Sequence, residues 1–385
     1  MPQNNFFVAF LLSLFFMVSL IGCTQAQVEV ATAVPTAEPT TTQTSTSTPE
    51  PTATATLTLT PTIPATETAV PTPTIPPSPT PSLQNLSASN SQLITVMRTD
   101  FAISSQSDPN VYDLAVSPDD RYLAVASNQG LLIYDLATLE LITAVNEDGS
   151  VKKSVAWSPD GKHLAVGSGP RVWIWNFATM STEFEFSGHE VEMYHVTWSV
   201  DRPLVFSVAN NGSFGSWDIE LGEPTTPVEE VGMRAIEFSP NGDYVAFSQW
   251  YQLSAVNMLN GDQTVFSEEH SDLIAAISWY PGSSFFVSGS YDGTLRIWDL
   301  DQQDSMRVLE GHSSDVLDVA WSPNGIYIAS GSADLTTLIW SAETGEVVYR
   351  LRGHTDGIRS LDWFHDGSRL VTGSLDGTIR IWDIP

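Results

Sequence analysis

The sequence predicts an all-β fold: seven four-stranded antiparallel sheets arranged in a ring, carried behind a long unfolded N-terminal segment. Three observations predict it. A turn signature recurs seven times at nearly constant spacing, short alternating strands flank each turn, and a Thr/Pro-rich stretch lacks the apolar residues a core requires. The 385 residues hold 45 Asp and Glu against 15 Lys and Arg, for a formal net charge of −30. That balance argues against nucleic acid as a partner and against electrostatic docking on anionic lipid. One Cys allows no intrachain disulfide and no Cys-rich metal site.

The chain begins with an address. Residues Phe6 to Ile21 are almost wholly apolar, a run slightly short for a membrane span and suited to a signal-peptide core. The run ends in Leu20-Ile21-Gly22-Cys23, which resembles the lipobox of bacterial lipoproteins. That resemblance implies a signal peptide over residues 1–22, cleavage before Cys23, and a diacylglyceryl group on its sulfur. The alternative is an uncleaved anchor helix. Either one tethers the protein outside the cytoplasmic membrane, and Thr24 carries no inner-membrane retention signal of the kind an Asp would supply there.

Residues 23–91 read as a stalk. Between Ala31 and Thr80 lie 19 Thr and 11 Pro, and the only charges are Glu38, Glu50 and Glu67. Too few apolar groups are present to offset chain entropy. Proline at this density favours extended polyproline II at ~3.1 Å per residue, so 50 residues reach roughly 150 Å. The reading is a passive spacer, with Thr hydroxyls as acceptors for sugar.

From residue 92 to 385 one unit is written seven times. Its turn stands at Ser117-Pro118-Asp119-Asp120, Ser158-Pro159-Asp160-Gly161, Ser199-Val200-Asp201-Arg202, Ser239-Pro240-Asn241-Gly242, Tyr280-Pro281-Gly282-Ser283, Ser322-Pro323-Asn324-Gly325 and Phe364-His365-Asp366-Gly367. The spacing is 40 to 42 residues throughout. Pro, then Asp or Asn, then Gly is turn chemistry. Alternating runs such as Asp318-Val319-Ala320-Trp321 precede each turn, and runs such as Tyr327-Ile328-Ala329-Ser330 follow it. Two further runs complete four strands per period, one blade of a seven-bladed β-propeller. Trp-Asp closes third strands at Trp217-Asp218, Trp298-Asp299 and Trp382-Asp383, and Gly-His opens units at Gly188-His189, Gly311-His312 and Gly353-His354.

These dipeptides at this period resemble the WD-repeat family. The last unit stops after its third strand, and residues 92–97 read as the missing fourth, closing the ring. The resemblance implies a buried hydrogen-bond chain of His, Ser or Thr, Asp and Trp within a blade. By position these are His270, Ser288, Asp292 and Trp298 in blade five, His312, Ser330, Asp334 and Trp340 in blade six, and His354, Thr372, Asp376 and Trp382 in blade seven. Blade three has His189, Ser207 and Trp217, with Asn211 in place of the Asp. A His beside Asp and Ser also evokes a hydrolase, but the set recurs and a catalyst needs one. Blades one, two and four lack the set and are expected to be the softer side of the ring.

No nucleophile elbow, metalloprotease helix, phosphate loop or dinucleotide fingerprint is present, so no enzyme, cofactor or metal site is expected. The loops into each first strand and the turns between second and third strands share one face, here the top. It carries Asp108, Asp148, Glu192, Glu229, Asp272, Asp315 and Asp356, a set of carboxylates suited to a basic partner or simply solvated. Blade four departs from the pattern. Val256 stands where Trp is expected, and the turn reads Gln249-Trp250-Tyr251-Gln252. Trp250 and Tyr251 are therefore candidate anchors for a protein partner, with Glu192, Asp272, Asp315 and Asp356 beside them, unless both rings fold inward to cover the blade. The expectation is a monomeric, extracytoplasmic, membrane-anchored and non-catalytic interaction platform. The rival is a propeller that binds or processes a small molecule or glycan on its top face.

Overall fold

The computed structural model describes residues 110–225, 227–266 and 270–385, together with the backbone of a strand at Leu93–Arg98. Cys23, the stalk and Asp108 lie outside the described residues. The strands assemble into seven antiparallel sheets, and no helix occurs among the described residues. Blade one spans 111–145, blade two 152–187, blade three 193–230, blade four 233–265, blade five 274–310, blade six 316–352 and blade seven 358–383. Each sheet follows chain order, as short tight turns require. Blade seven takes its outer strand from the other end of the described chain: Leu93–Arg98 pairs antiparallel with Thr378–Asp383.

The turn signature works through its serine. In blade one, the Tyr122 amide donates to Ser117 Oγ (2.9 Å) and Ser117 Oγ–H donates to Asp119 Oδ1 (2.6 Å). Blades two, four and six repeat the amide bond at Ser158, Ser239 and Ser322. The last turn residue needs a left-handed backbone, which Gly supplies at Gly161 (φ 68°) and Asp120 adopts at φ 58° in blade one. Blade three has a broken outer strand, Glu223–Pro224 and Glu229–Glu230, both paired with Ser213–Asp218. Pro224 and Pro227 cannot donate to a ladder, which accounts for the break.

The apolar core lies between blades, not inside them. Seven clusters form, and each joins the facing sides of two neighbours. One holds Phe364, Val371, Ile379 and Ile381 of blade seven against Val111, Leu114, Val125 and Tyr134 of blade one, so the ring is closed by burial as well as by pairing. Polar staples cross the same seams. The indoles of Trp157, Trp198, Trp279 and Trp363 donate to the carbonyls of Ala115, Ala156, Glu237 and Ala320 in the preceding blade, at 2.9–3.2 Å.

One irregularity recurs seven times. The register of every first strand slips near its start, between Val111 and Asp113 in blade one and at the corresponding place in the other six. A bulge leaves one residue unpaired and re-aims its side chain. First strands line the cavity on the ring axis, so the bulges face the channel.

Candidate functional site on the top face

In blade five, Trp298 Nε1–H donates to Ser288 Oγ (2.8 Å), Ser288 Oγ lies 2.8 Å from His270 Nε2, and His270 Nδ1 lies 2.9 Å from Asp292 Oδ2. Blade six repeats this through Trp340, Ser330, His312 and Asp334 at 2.8, 2.7 and 2.9 Å. Blade seven does so through Trp382, Thr372, His354 and Asp376 at 3.0, 2.9 and 3.1 Å. An ionised carboxylate only accepts, so Nδ1 carries the imidazole proton and Nε2 takes the hydroxyl's. Each Asp also accepts two Thr groups and a backbone amide, as Asp334 does from Thr336 N and Oγ1 and Ser313 N. Burial pushes these carboxyls up, but the hydrogen bonds outweigh it. Asp334 is held down at about 2, and Asp292 and Asp376 are also well below the usual range. Ser288, Ser330 and Thr372 are fully buried and each also accepts from an indole, so no substrate reaches these hydroxyls and the chains serve as braces.

Blade three keeps the chain without its carboxylate. His189 lies 2.7 Å from Ser213 Oγ and 2.8 Å from Ser207 Oγ, while Asn211 turns to its own loop and accepts from the Ser213 amide. Burial pulls His189 down to about 4. Blade two is braced differently. Lys152 is fully buried at the start of its first strand. Its Nζ reaches Asp148 Oδ1 (2.5 Å), Ser150 O (3.0 Å) and Ser168 Oγ (2.9 Å), and sits 4.0 Å from the Trp173 ring centroid. Burial would raise Asp148, but Lys152 and its other donors hold it at about 2. Blade two therefore has a polar brace of its own, and Asp148 is not a free carboxylate of the top face. Its Trp175 finds Val166 where blades five to seven have Ser or Thr. The buried Trp175 indole N–H has no hydrogen-bond partner among the described residues.

Trp250 and Tyr251 form the two-residue tip between Gln249 and Gln252, and they neither fold inward nor stand free. They are 42% and 51% exposed. Trp250 adopts φ 58°, a conformation rare for a bulky residue. It is held there by its backbone, with Trp250 N–H donating to Gly232 O (3.1 Å) and Ile274 N–H to Trp250 O (2.9 Å). The indole lies against Gly232, where any Cβ would meet Trp250 Nε1 at 2.6 Å. The candidate acids do not gather into one cluster. Asp272 and Asp356 each accept a neighbouring amide, from Leu273 and Gly357 at 2.7 Å, and Asp315 is half-buried at the entrance of its own blade. Only Glu192 reaches toward the channel, where its charge acts on Tyr112 and Lys153.

The channel is layered. At the top the bulges present Tyr112, Lys153, Tyr194, Arg234 and Arg359, with Tyr291 from the blade five turn. Beneath them lie carboxylates that tie blades together. Asp113 accepts from Ser154 Oγ, Val155 N and Ser360 Oγ, Asp318 from Leu361 N, and Asp362 from Val116 N, at 2.7–2.9 Å. Burial raises Asp318, takes Asp362 to about 6, and takes Glu237 to about 8. No three of His, Cys, Asp and Glu are placed to hold a metal ion among the described residues. The basic layer was missed in the sequence because each member looks like an ordinary strand residue. The signal that could have found it is a Lys or Arg at the second position of a first strand in a chain so poor in bases.

Five segments, 99–135, 140–176, 261–299, 303–341 and 345–383, match the WD domain, G-beta repeat. The chain belongs to the WD-repeat family, and the structure is its seven-bladed propeller. Residues 177–260, which hold the outer strand of blade two, all of blade three and the first three strands of blade four, fall between the matched segments. Subunit 5 of transcription initiation factor TFIID from Caenorhabditis elegans is 25% identical over 139 residues, 34% of this chain. The match spans 20% of that protein's length.

Proposed function

We propose that the propeller is a non-catalytic interaction platform, held outside the cytoplasmic membrane by lipidated Cys23 and the stalk, and engaged by a protein partner at its top face. The observation that carries this reading is the Trp250–Tyr251 tip. Two large aromatic side chains stand about half exposed at a turn whose backbone is held in an unfavourable conformation. Such strain, about 1–3 kcal/mol, persists where the surroundings enforce it. Trp and Tyr are the residues that most often dominate binding energy at interfaces. WD-repeat propellers are typically non-catalytic scaffolds, in line with hydroxyls and imidazoles committed to braces.

The test has two arms. Crosslinking in intact cells should capture a partner with the wild-type chain and lose it with Trp250→Ala/Tyr251→Ala, the variant melting within a few degrees of wild type. Equal capture by a folded variant would remove the tip from the reading. Cys23→Ser should release the protein from the membrane fraction, and retention there would favour the uncleaved helix.

A further inference from the structure

The mouth of the channel carries a charge opposite to that of the chain. Three of its fifteen Lys and Arg residues, Lys153, Arg234 and Arg359, occupy the first-strand bulges of blades two, four and seven. Tyrosines hold them in place. Lys153 Nζ lies 3.5 Å from the Tyr112 ring centroid, and the guanidinium carbons of Arg234 and Arg359 lie 4.0 and 5.5 Å from that of Tyr194. Arg234 Nη2–H donates to Tyr291 Oη at 3.3 Å. A ring face attracts a cation without neutralising it.

None of the three cations pairs with a carboxylate among the described residues, although the chain holds 45 Asp and Glu. Arg234 is only 9% exposed, and its Nε–H has no hydrogen-bond partner among the described residues. Glu192 and Asp113 act on Lys153 and Arg359 only at a distance, so two cations on the cavity wall make no ion pair, an arrangement that an incoming anion would relieve. The carboxylates one layer below are already committed. Asp113 and Asp318 accept amide and hydroxyl donors that join neighbouring blades.

The geometry points to a binding site for a single carboxylate group at the channel mouth, held by Lys153 and Arg359 and walled by Tyr112 and Tyr194, with Arg234 stacked on the same Tyr194 ring. The cavity there, whose deeper wall includes Asp113, His195 and Asp318, is about 90 Å³, room for one small group or several waters and too little for a polyanion. A guanidinium fork matches a carboxylate. The acids beneath disfavour a doubly charged phosphate more than a singly charged carboxylate. The carboxylate can come from an acidic side chain or from a free C-terminus of a peptide. The site is separate from the Trp250–Tyr251 tip and stands whether or not that tip engages a partner.

Calorimetric titration of the full chain with three probes tests the site: acetyl-Gly-Glu-Gly-amide, acetyl-Gly-Gln-Gly-amide and acetyl-Gly-Gly-Gly with a free carboxylate. At least one acid-bearing peptide should bind on the order of tenfold more tightly than the Gln peptide, and which one does identifies the source. Raising salt should weaken that binding. Lys153→Gln/Arg359→Gln should abolish the preference, while Lys153→Arg should keep it. Equal binding of all three peptides, or a preference that survives in the double variant, would overturn the site. So would displacement of the acidic peptide by inorganic phosphate at concentrations where acetate has no effect. Should the double variant fail to fold, the salt dependence and the peptide preference of the wild type decide the matter.

Discussion

Blades two and six solve one problem with different residues. Each must fasten its first strand and the loop before it to its own middle strands. Blade six does so with a neutral chain of indole, hydroxyl and imidazole that ends on Asp334, a carboxylate fed by amide and hydroxyl donors. Blade two uses one buried ammonium, Lys152, satisfied by Asp148, Ser150 and Ser168 and seated on Trp173. The expectation that blade two belongs to a softer side rested on the missing His and Asp. The comparison teaches that the brace, not the signature, is what a blade needs. It also teaches that the two braces fail differently, because a buried charge that loses its partner is costlier than a neutral donor that does.

The comparison can be broken most sharply at Lys152. Lys152→Ala leaves Asp148 without its counter-ion and opens a cavity beside Trp173, and should destabilise the propeller by about 2–4 kcal/mol. Chemical denaturation measures this, and Lys152→Met/Asp148→Asn should recover much of the loss. A loss below about 1 kcal/mol would show that blade two is not braced by this pair. Asp334→Ala in blade six should cost about 1–3 kcal/mol, because His312 and the Ser313 amide lose their acceptor.

Acid should separate blade three, where nothing offsets the burial of His189, from blade six, where burial also lowers His312 but Asp334 opposes it. His189 is depressed to about 4, so the unfolded chain binds a proton that the folded chain refuses between pH 6.5 and 4. Stability linked to blade three is therefore present above pH 6.5 and lost as pH falls toward 4. Asp334 is depressed to about 2, and its contribution holds until pH drops below the ordinary Asp value and through 2. Hydrogen exchange should show blade three opening first on acidification. Asn211→Asp should remove that early phase and add about 1 kcal/mol near neutral pH. The smallest effect is a gain. Val166→Thr should give the Trp175 indole an acceptor like Thr372 beneath Trp382, worth about 0.5–1.5 kcal/mol in thermal melts.

Much of the fold was legible because its signals are local. Ser-Pro-Asp-Gly and its variants specify a turn through contacts within five residues, and the flanking runs alternate with the pleat. The positions of His270, His312 and His354 relative to their Ser or Thr, Asp and Trp were legible for the same reason, since all members of each set lie within one period. The Lys152 brace was not legible. Asp148 read as one more loop acid, and only folding places it over an ammonium in the next strand.

Local signals in the chain carry the number of blades, the four strands of each and the residues that brace blades five, six and seven. A 41-residue period and a two-residue alternation contain that information without reference to the rest of the chain. What the channel presents arises only on folding. Bulges at the start of the seven first strands break the alternation that sequence reading depends on, and they turn Lys153, Arg234 and Arg359 toward one axis. Ring closure then brings together residues that lie 81 to 206 positions apart in the chain. No local pattern records that meeting, because the interaction exists only once the last blade has packed against the first.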